Sequence, residues 1–368
     1  MSEARAAVAR SRRVIVKIGS RTLAAEAAPI FERLAATLAN RRGTTFVVVS
    51  SGAIALGMKK LGYRARPKEV AKLQAAAAAG QSLLMRAYEE AFDARGLTVA
   101  QVLLTYADLA DRTRSNNARE ALAALIEAGA IPILNENDSV AVDEIKLDND
   151  QLAAMVAPLV DAELVVLLSD VEGLLDADGR RVSIVRDVSR DALPHIRKST
   201  SSVGTGGMAS KVEAARRATL SGANVVVADA RAANTLEAIL AGEDVGTLFV
   251  AAPDRLSAKK YWIAFTLRPR GDIVLDRGAA QAVLTKGKSV LSVGVLGVRG
   301  DFRAGDAVRL VDAEAREIGR GLARCSATDA ARVAGKVRDD LPQPLAEFAV
   351  VVHADELVVG EHAEAPPP

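Results

Sequence analysis

Six short aliphatic runs, each passing into a polar or glycine-containing break and then a helix-forming stretch, constrain this chain most. They lie at 14–18, 45–50, 97–104, 131–134, 163–170 and 224–229. The first, with four apolar residues in five, reads as a strand buried on both faces, as in a parallel sheet covered by helices. Helical stretches are expected at 30–40, 68–95 with an interruption at Gly80, 115–128 closed by Gly129, 151–157 and 234–240. A further helix after a glycine-rich loop runs to Leu220, with Gly222 as its C-cap, and 246–250 closes the layer. The repeated β-α order predicts a three-layer αβα sandwich with a mainly parallel sheet.

Beyond residue 252 the character changes. Residues 253–271 hold two prolines, a Lys-Lys pair, the only tryptophan and Arg268-Pro269-Arg270, and read as a linker. From 272 to 356 short apolar runs are broken by glycines such as Gly287, Gly294, Gly300 and Gly305, predicting a small β-barrel-like domain. Residues 1–12 read as a flexible tail and 357–368 as disordered, which leaves 13–252 for the larger domain.

Several function classes are excluded or disfavoured by composition. Cys325 is the only cysteine and the three histidines are scattered, so no intrachain disulfide or cysteine cluster is possible and a Ser-His-Asp triad is disfavoured. Aromatics make up 3% of the chain, too few for extensive base stacking. The net charge of +2 gives no polyanion or membrane signal. The Arg-rich start lacks the apolar core of a signal peptide, and no apolar run is long enough to span a bilayer, so a cytoplasmic protein is expected.

Gly204-Thr205-Gly206-Gly207-Met208-Ala209-Ser210-Lys211 is a glycine-rich loop feeding a helix start, with a lysine in its first or second turn. Bare amides and a cation at the positive end of a helix suit phosphate, although a flexible connector would read the same way. The spacing is not that of a P-loop, since Lys211 does not follow a glycine directly. Lys17 interrupts the first strand, where a buried ammonium needs either a solvated end or a charged partner. Ser50-Ser51-Gly52 joins a strand to a helix; Ser51 suits either an N-cap or a small carboxylate. Asn135-Glu136-Asn137-Asp138 and Lys146-Leu147-Asp148-Asn149-Asp150 crowd amides and acids beyond a strand end, where α/β sheets bind ligands. Asp150 also reads as a helix N-cap.

These motifs, with Ser169-Asp170-Val171-Glu172-Gly173-Leu174, occur in the order seen in the glutamate 5-kinase branch of the amino-acid kinase family, and the region from Asp272 to about Ala354 resembles a PUA domain. The resemblance covers nearly the whole chain. It implies ATP-dependent phosphorylation of the γ-carboxylate of L-glutamate, the first step of proline synthesis, with Mg²⁺ carried by ATP. Lys17 and Lys211 would contact the ATP phosphates and Asp150 would hold the two lysines. Ser169, Asp170 and the run Thr205, Gly206, Gly207, Met208, Ala209, Ser210 and Lys211 would surround the nucleotide. Ser51, Asp138 and Asn149 would bind glutamate. A homo-oligomer, dimer or tetramer, and feedback inhibition by proline are implied as well.

The chain departs from the family pattern in three places. The segment between Lys17 and Ile30 is short, no glycine precedes the first aspartate of Lys146 to Asp150, and Leu291-Ser292-Val293-Gly294 lacks a proline. Other acceptors within the same fold, such as carbamate, uridylate, aspartate and acetylglutamate, form the alternative reading. A different class would be an RNA-binding PUA protein, but residues 272–360 carry 12 Lys and Arg against 13 Asp and Glu, a balance of −1, without the basic excess that nucleic-acid binding requires.

Overall fold

A computed structural model describes residues 2–141, 148–196, 207–232 and 234–360. The chain divides into two units, Met1–Arg255 and Leu256–Pro368, each treated on its own below.

The first unit opens with α1 (Glu3–Arg10), β1 (Arg13–Ile18), α2 (Ser20–Asn40), β2 (Thr45–Ser50), α3 (Ala53–Lys60) and α4 (Val70–Asp93). It continues through β3 (Val99–Leu104), α5 (Tyr106–Ala110), α6 (Arg112–Glu127), β4 (Ile131–Glu136), α7 (Asn149–Val156) and β5 (Leu164–Ser169). Then come β6 (Ile184–Val185), the short α8 (Val188–Asp191) and α9 (Leu193–Ile196), α10 (Met208–Leu220), β7 (Asn224–Asp229), α11 (Thr235–Ala241) and β8 (Thr247–Phe249). The strands form one sheet in the order β3-β4-β2-β1-β5-β7-β8-β6, and every pair is parallel except β7 with β8.

Alternation along the strands divides the core between the two faces. Val14, Val16, Ile18, Val48 and Val166 pack with α2, α4 and α11, whereas Ile15, Val47, Val49, Val165 and Val227 pack with α7 and α10. The period of two therefore aims Lys17, next after Val16, at the α7 and α10 layer. β1 is central: the chain adds β2 on one side and later β5 on the other, a topological switch point whose carboxyl edge is the usual ligand crevice.

Three expectations are corrected in this unit. Residues 1–12 are not a flexible tail, because α1 buries Val8 and Arg5, and the Arg5 guanidinium donates to the carbonyls of Ser183, Val245 and Gly246 at 3.0, 2.7 and 2.9 Å. α2 begins at Ser20 rather than Ile30, in keeping with the helix propensity of its alanine-rich start. α4 is not interrupted at Gly80. A Cβ there would lie 1.7 Å from the Ala53 carbonyl oxygen, so Gly80 allows α3 and α4 to meet backbone to backbone, with Gly57 as its counterpart. The intrinsic cost of glycine in a helix, about 1 kcal/mol, is offset by that close packing.

In the second unit α12 (Ala258–Tyr261) leads into a π-helical turn at Trp262–Thr266. It is followed by β9 (Gly271–Leu275), α13 (Arg277–Lys286), β10 (Val290–Leu291), β11 (Val295–Gly300), β12 (Ala307–Val311), β13 (Glu317–Leu322), α14 (Ala327–Val333), β14 (Val350–Val352) and β15 (Leu357–Val359). A five-stranded sheet runs β11-β9-β12-β13-β15, and β10 pairs with β14. Ile273, Leu275, Phe302, Val308 and Leu310 anchor its core. Much of the expected linker belongs to this unit as helical turn and strand, and β15 lies within the stretch read as disordered. No described helix is long and apolar enough to cross a membrane.

Candidate active site

Six parallel strands of the first unit end at one edge, among them β1, β2, β4 and β5, which carry a polar residue at or beside their last position. β1 ends just after Lys17, β2 at Ser50, β4 at Glu136 and β5 at Ser169. Three of the helices that start at this edge, α2, α3 and α10, leave their first amides free of side-chain caps. Gly19, Gly52 and Gly207 occupy the N-cap positions of α2, α3 and α10, and none can offer a side-chain acceptor. Gly52 adopts φ 102°, a left-handed conformation that favours glycine and turns β2 sharply into α3.

Lys17, Asp150 and Lys211 meet at the centre of this edge. The Lys17 Nζ lies 2.5 Å from Asp150 Oδ1 and the Lys211 Nζ 3.0 Å from Oδ2. Asp150 has no solvent exposure and each lysine side chain has 5%. Burial alone would push the Asp150 carboxyl up, but the ammonium groups of Lys17 and Lys211 outweigh it and hold the carboxyl below the usual carboxylate range. Two cations against one anion leave the cluster a net positive charge on the inner side of an open strand edge.

The N-cap of α7 is Asp148, not Asp150. Asp148 Oδ1 accepts from the Asp150 backbone N–H at 3.1 Å, and its Oδ2 accepts from the Ser210 hydroxyl at 2.6 Å. The Gln151 Nε2 donates to the Ser210 carbonyl at 3.0 Å. Asp148 and Gln151 thereby tie the start of α7 to the start of α10, which sets the separation of Asp150 and Lys211. Neither was singled out from the sequence, where an aspartate before a helix reads only as a cap.

A second cluster lies beside it. The Asn149 Nδ2 donates to Ser51 Oγ at 2.9 Å and to Asn135 Oδ1 at 3.1 Å; the Asn135 Nδ2 donates to Gln81 Oε1 at 2.9 Å. The Asn149 Oδ1 is buried without a hydrogen-bond partner among the described residues, an acceptor ready for a donor from outside the chain. Asp138 follows β4 at the same edge and is half-buried. Gln81, on α4, had no distinguishing signal in an alanine-rich helix.

At the end of β5 the Ser169 hydroxyl donates to Asp170 Oδ1 at 3.0 Å. Arg231 supports this corner: its Nη2 donates to the Asp170 carbonyl at 3.0 Å while its guanidinium grips both oxygens of Asp229. Gly207, Met208, Ala209, Ser210 and Lys211 lie at the cap and first turn of α10, whereas Thr205 and Gly206 lie outside the described residues.

Residues 12–229 match the amino acid kinase family and 271–345 the PUA domain. The chain is 45% identical to the glutamate 5-kinase of Myxococcus xanthus over 98% of its length and 99% of the relative's. The chain belongs to the glutamate 5-kinase branch of the amino acid kinase family. Another relative in that branch is the glutamate 5-kinase of Pelobacter propionicus, 42% identical over 95% of this chain and 97% of the relative's. Like other members of the glutamate 5-kinase family, the chain is an enzyme, a phosphotransferase. Solved structures of N-acetylglutamate synthase from Neisseria gonorrhoeae and of Giardia carbamate kinase share the fold of its larger unit. They have TM-scores of 0.51 and 0.50 at 16% and 15% identity, and cover 68% and 66% of this chain and 62% and 100% of theirs.

Proposed function

We propose that the chain transfers the γ-phosphoryl group of ATP to the γ-carboxylate of L-glutamate, giving L-glutamyl 5-phosphate, the first step of proline synthesis from glutamate. The observation that carries this reading is the buried Lys17–Asp150–Lys211 cluster at the switch point of the sheet. A carboxylate oxygen attacks the γ-phosphorus, the bond to the β,γ-bridging oxygen breaks, and ADP leaves with that electron pair. No general base is required, since the acceptor, with a pKa of about 4.3, is already ionised at neutral pH.

The difficulty of the reaction is bringing one anion against another. Positioning and charge stabilisation are what phosphoryl transfer asks of a protein. A lysine about 4 Å from a phosphoryl oxygen, at an effective dielectric near 20, contributes on the order of 4 kcal/mol before desolvation. Asp150 touches neither substrate in this reading. It is a positioning residue that holds two ammonium groups where the transferring phosphoryl group passes. The uncapped amides at the start of α10, with Ser169 and Asp170, receive the rest of the nucleotide. Ser51 and Asn149, joined by a hydrogen bond, receive glutamate together with Asp138, and the unpaired Asn149 Oδ1 suits the α-ammonium group.

Among the described residues no three His, Cys, Asp or Glu side chains converge as metal ligands, and both Asp150 oxygens face ammonium groups. In this reading Mg²⁺ would be carried on the nucleotide phosphates, where its chemistry is to neutralise phosphate charge. The same reading makes a homo-oligomer the working form and proline, the end product of the pathway, its inhibitor.

The test is an ATP-dependent assay with glutamate, aspartate, N-acetylglutamate and UMP as acceptors, with hydroxylamine trapping acyl phosphates. Hydroxamate from glutamate alone is expected. Phosphorylation of UMP alone would overturn the assignment.

A further inference from the structure

A cleft of about 400 Å³ opens in the second unit, lined among others by Arg270, Asp272, Arg299, Arg309 and Arg320. Four of these residues form one cross-strand row. In the register of the sheet Arg299 on β11 stands opposite Asp272 on β9, Asp272 opposite Arg309 on β12, and Arg309 opposite Arg320 on β13. Directly opposed like charges destabilise a sheet, and here each arginine of the Arg309–Arg320 pair has one carboxylate partner, Asp272 and Glu317.

Each member of the row has a distinct environment. The Arg309 guanidinium is held flat by Asp272, with its Nε at 2.7 Å from Oδ1 and its Nη2 at 3.0 Å from Oδ2. Arg320 is only 1% exposed. Its Nε donates to Glu317 Oε1 at 2.7 Å and its Nη1 to the Ala264 carbonyl at 2.9 Å, but its Nη2 is buried without a hydrogen-bond partner among the described residues. A buried, charged donor left unpaired marks a missing acceptor. Arg270 and Arg299 are exposed at the rim and have no ionic partner among the described residues.

We propose that this cleft is a binding site for a small phosphate-bearing molecule, separate from the phosphotransfer site in the first unit. Four guanidinium groups face two carboxylates, Asp272 and Glu317, an excess suited to a multiply charged oxyanion rather than a single carboxylate. Arginine forks match phosphate oxygens two at a time, and Arg309 is already fixed in its plane. A polynucleotide is the weaker fit, because no aromatic residue lines the cleft to stack a base and the unpaired donor sits inside it rather than along an exposed stripe.

The test titrates inorganic pyrophosphate into the full chain and follows backbone hydrogen exchange. Saturable protection of 271–275, 297–300, 307–311 and 317–322 is expected, separable from any protection in β1 and α10. The Arg270→Ala/Arg299→Ala double variant, both changes at exposed rim positions, should weaken that protection at least about tenfold while leaving kinase turnover unchanged. Arg320→Lys keeps a buried cation but removes the fork, and should weaken it as well. Absence of protection in these strands, or equal affinity in wild type and the double variant, overturns the proposal. Protection by a single-stranded RNA oligonucleotide but not by pyrophosphate also overturns it, and assigns the row to a polynucleotide.

Discussion

Asp150→Asn is the most informative perturbation of the proposed phosphotransfer site. It removes one negative charge from a fully buried position and leaves two ammonium groups, each 5% exposed, facing a neutral amide. Deleting one partner of a buried ion pair costs about 3–5 kcal/mol. Against a total stability of about 5–15 kcal/mol, the variant should still fold while unfolding at clearly lower urea. The pH dependence follows from the sign of the shift. The wild-type carboxyl sits below its unfolded value of 3.8. Its contribution is therefore fully present above that value and is lost as pH falls through the folded pKa. Unfolding midpoints measured from neutral to acid pH should converge for the two proteins at the acid end. Turnover should fall by about a hundredfold, the scale of a misplacement near 1 Å, with little change in the KM for glutamate. Wild-type turnover in Asp150→Asn would refute the positioning role. Wild-type unfolding midpoints at neutral pH would refute the electrostatic argument beneath it.

Three further perturbations separate the parts of the first unit. Lys17→Ala or Lys211→Ala should lower kcat by about 10²–10³-fold, the cost of deleting a charge-stabilising donor, with a much smaller effect on glutamate binding. Steady-state kinetics showing equal losses in both constants would contradict that division. Asn149→Ala removes the donor shared by Ser51 and Asn135 and should raise the KM for glutamate by about tenfold, leaving the KM for ATP near wild type. Gly80→Ala places a methyl 1.7 Å from the Ala53 carbonyl oxygen. Thermal unfolding should register a loss of at least about 1–3 kcal/mol, and an unchanged Tm would mean that α3 and α4 part without strain.

Strand positions were legible because short aliphatic runs have few other uses, and the expected strand at 163–170 corresponds to the fully buried β5. Lys17 was legible for a related reason: a lysine inside such a run demands a partner, and Asp150 supplies it. The identity of the α7 cap was not, since Asp148 and Asp150 are equally good caps by residue type and only the backbone decides between them. Gly80 misled because propensity treats glycine as a break, whereas close helix packing treats it as clearance. Arg5 and Arg320 escaped notice because an arginine reads as a surface residue until the carbonyls that surround it are known. The basic cleft was hidden for another reason. A balance of −1 over 272–360 is a sum along the chain, and the sheet gathers positions 299, 309 and 320 into one row.

The amide relay through Gln81, Asn135, Asn149 and Ser51 runs from α4 across β4 and α7 to the end of β2. Tyr88, also on α4, donates its hydroxyl to Ser50 at 2.9 Å, and Gly80 presses the same helix against α3. One helix thus braces the part of the site proposed for the acceptor, while Lys211, Ser169 and Asp170 hang on β5 and α10. On the proposed roles the two parts of the site meet on α7, which carries Asn149 and Asp150 side by side. On that reading, substitutions along α4 would retune which acceptor is seated through a relay that passes one residue from Asp150, so acceptor preference and the spacing of the two lysines would shift together.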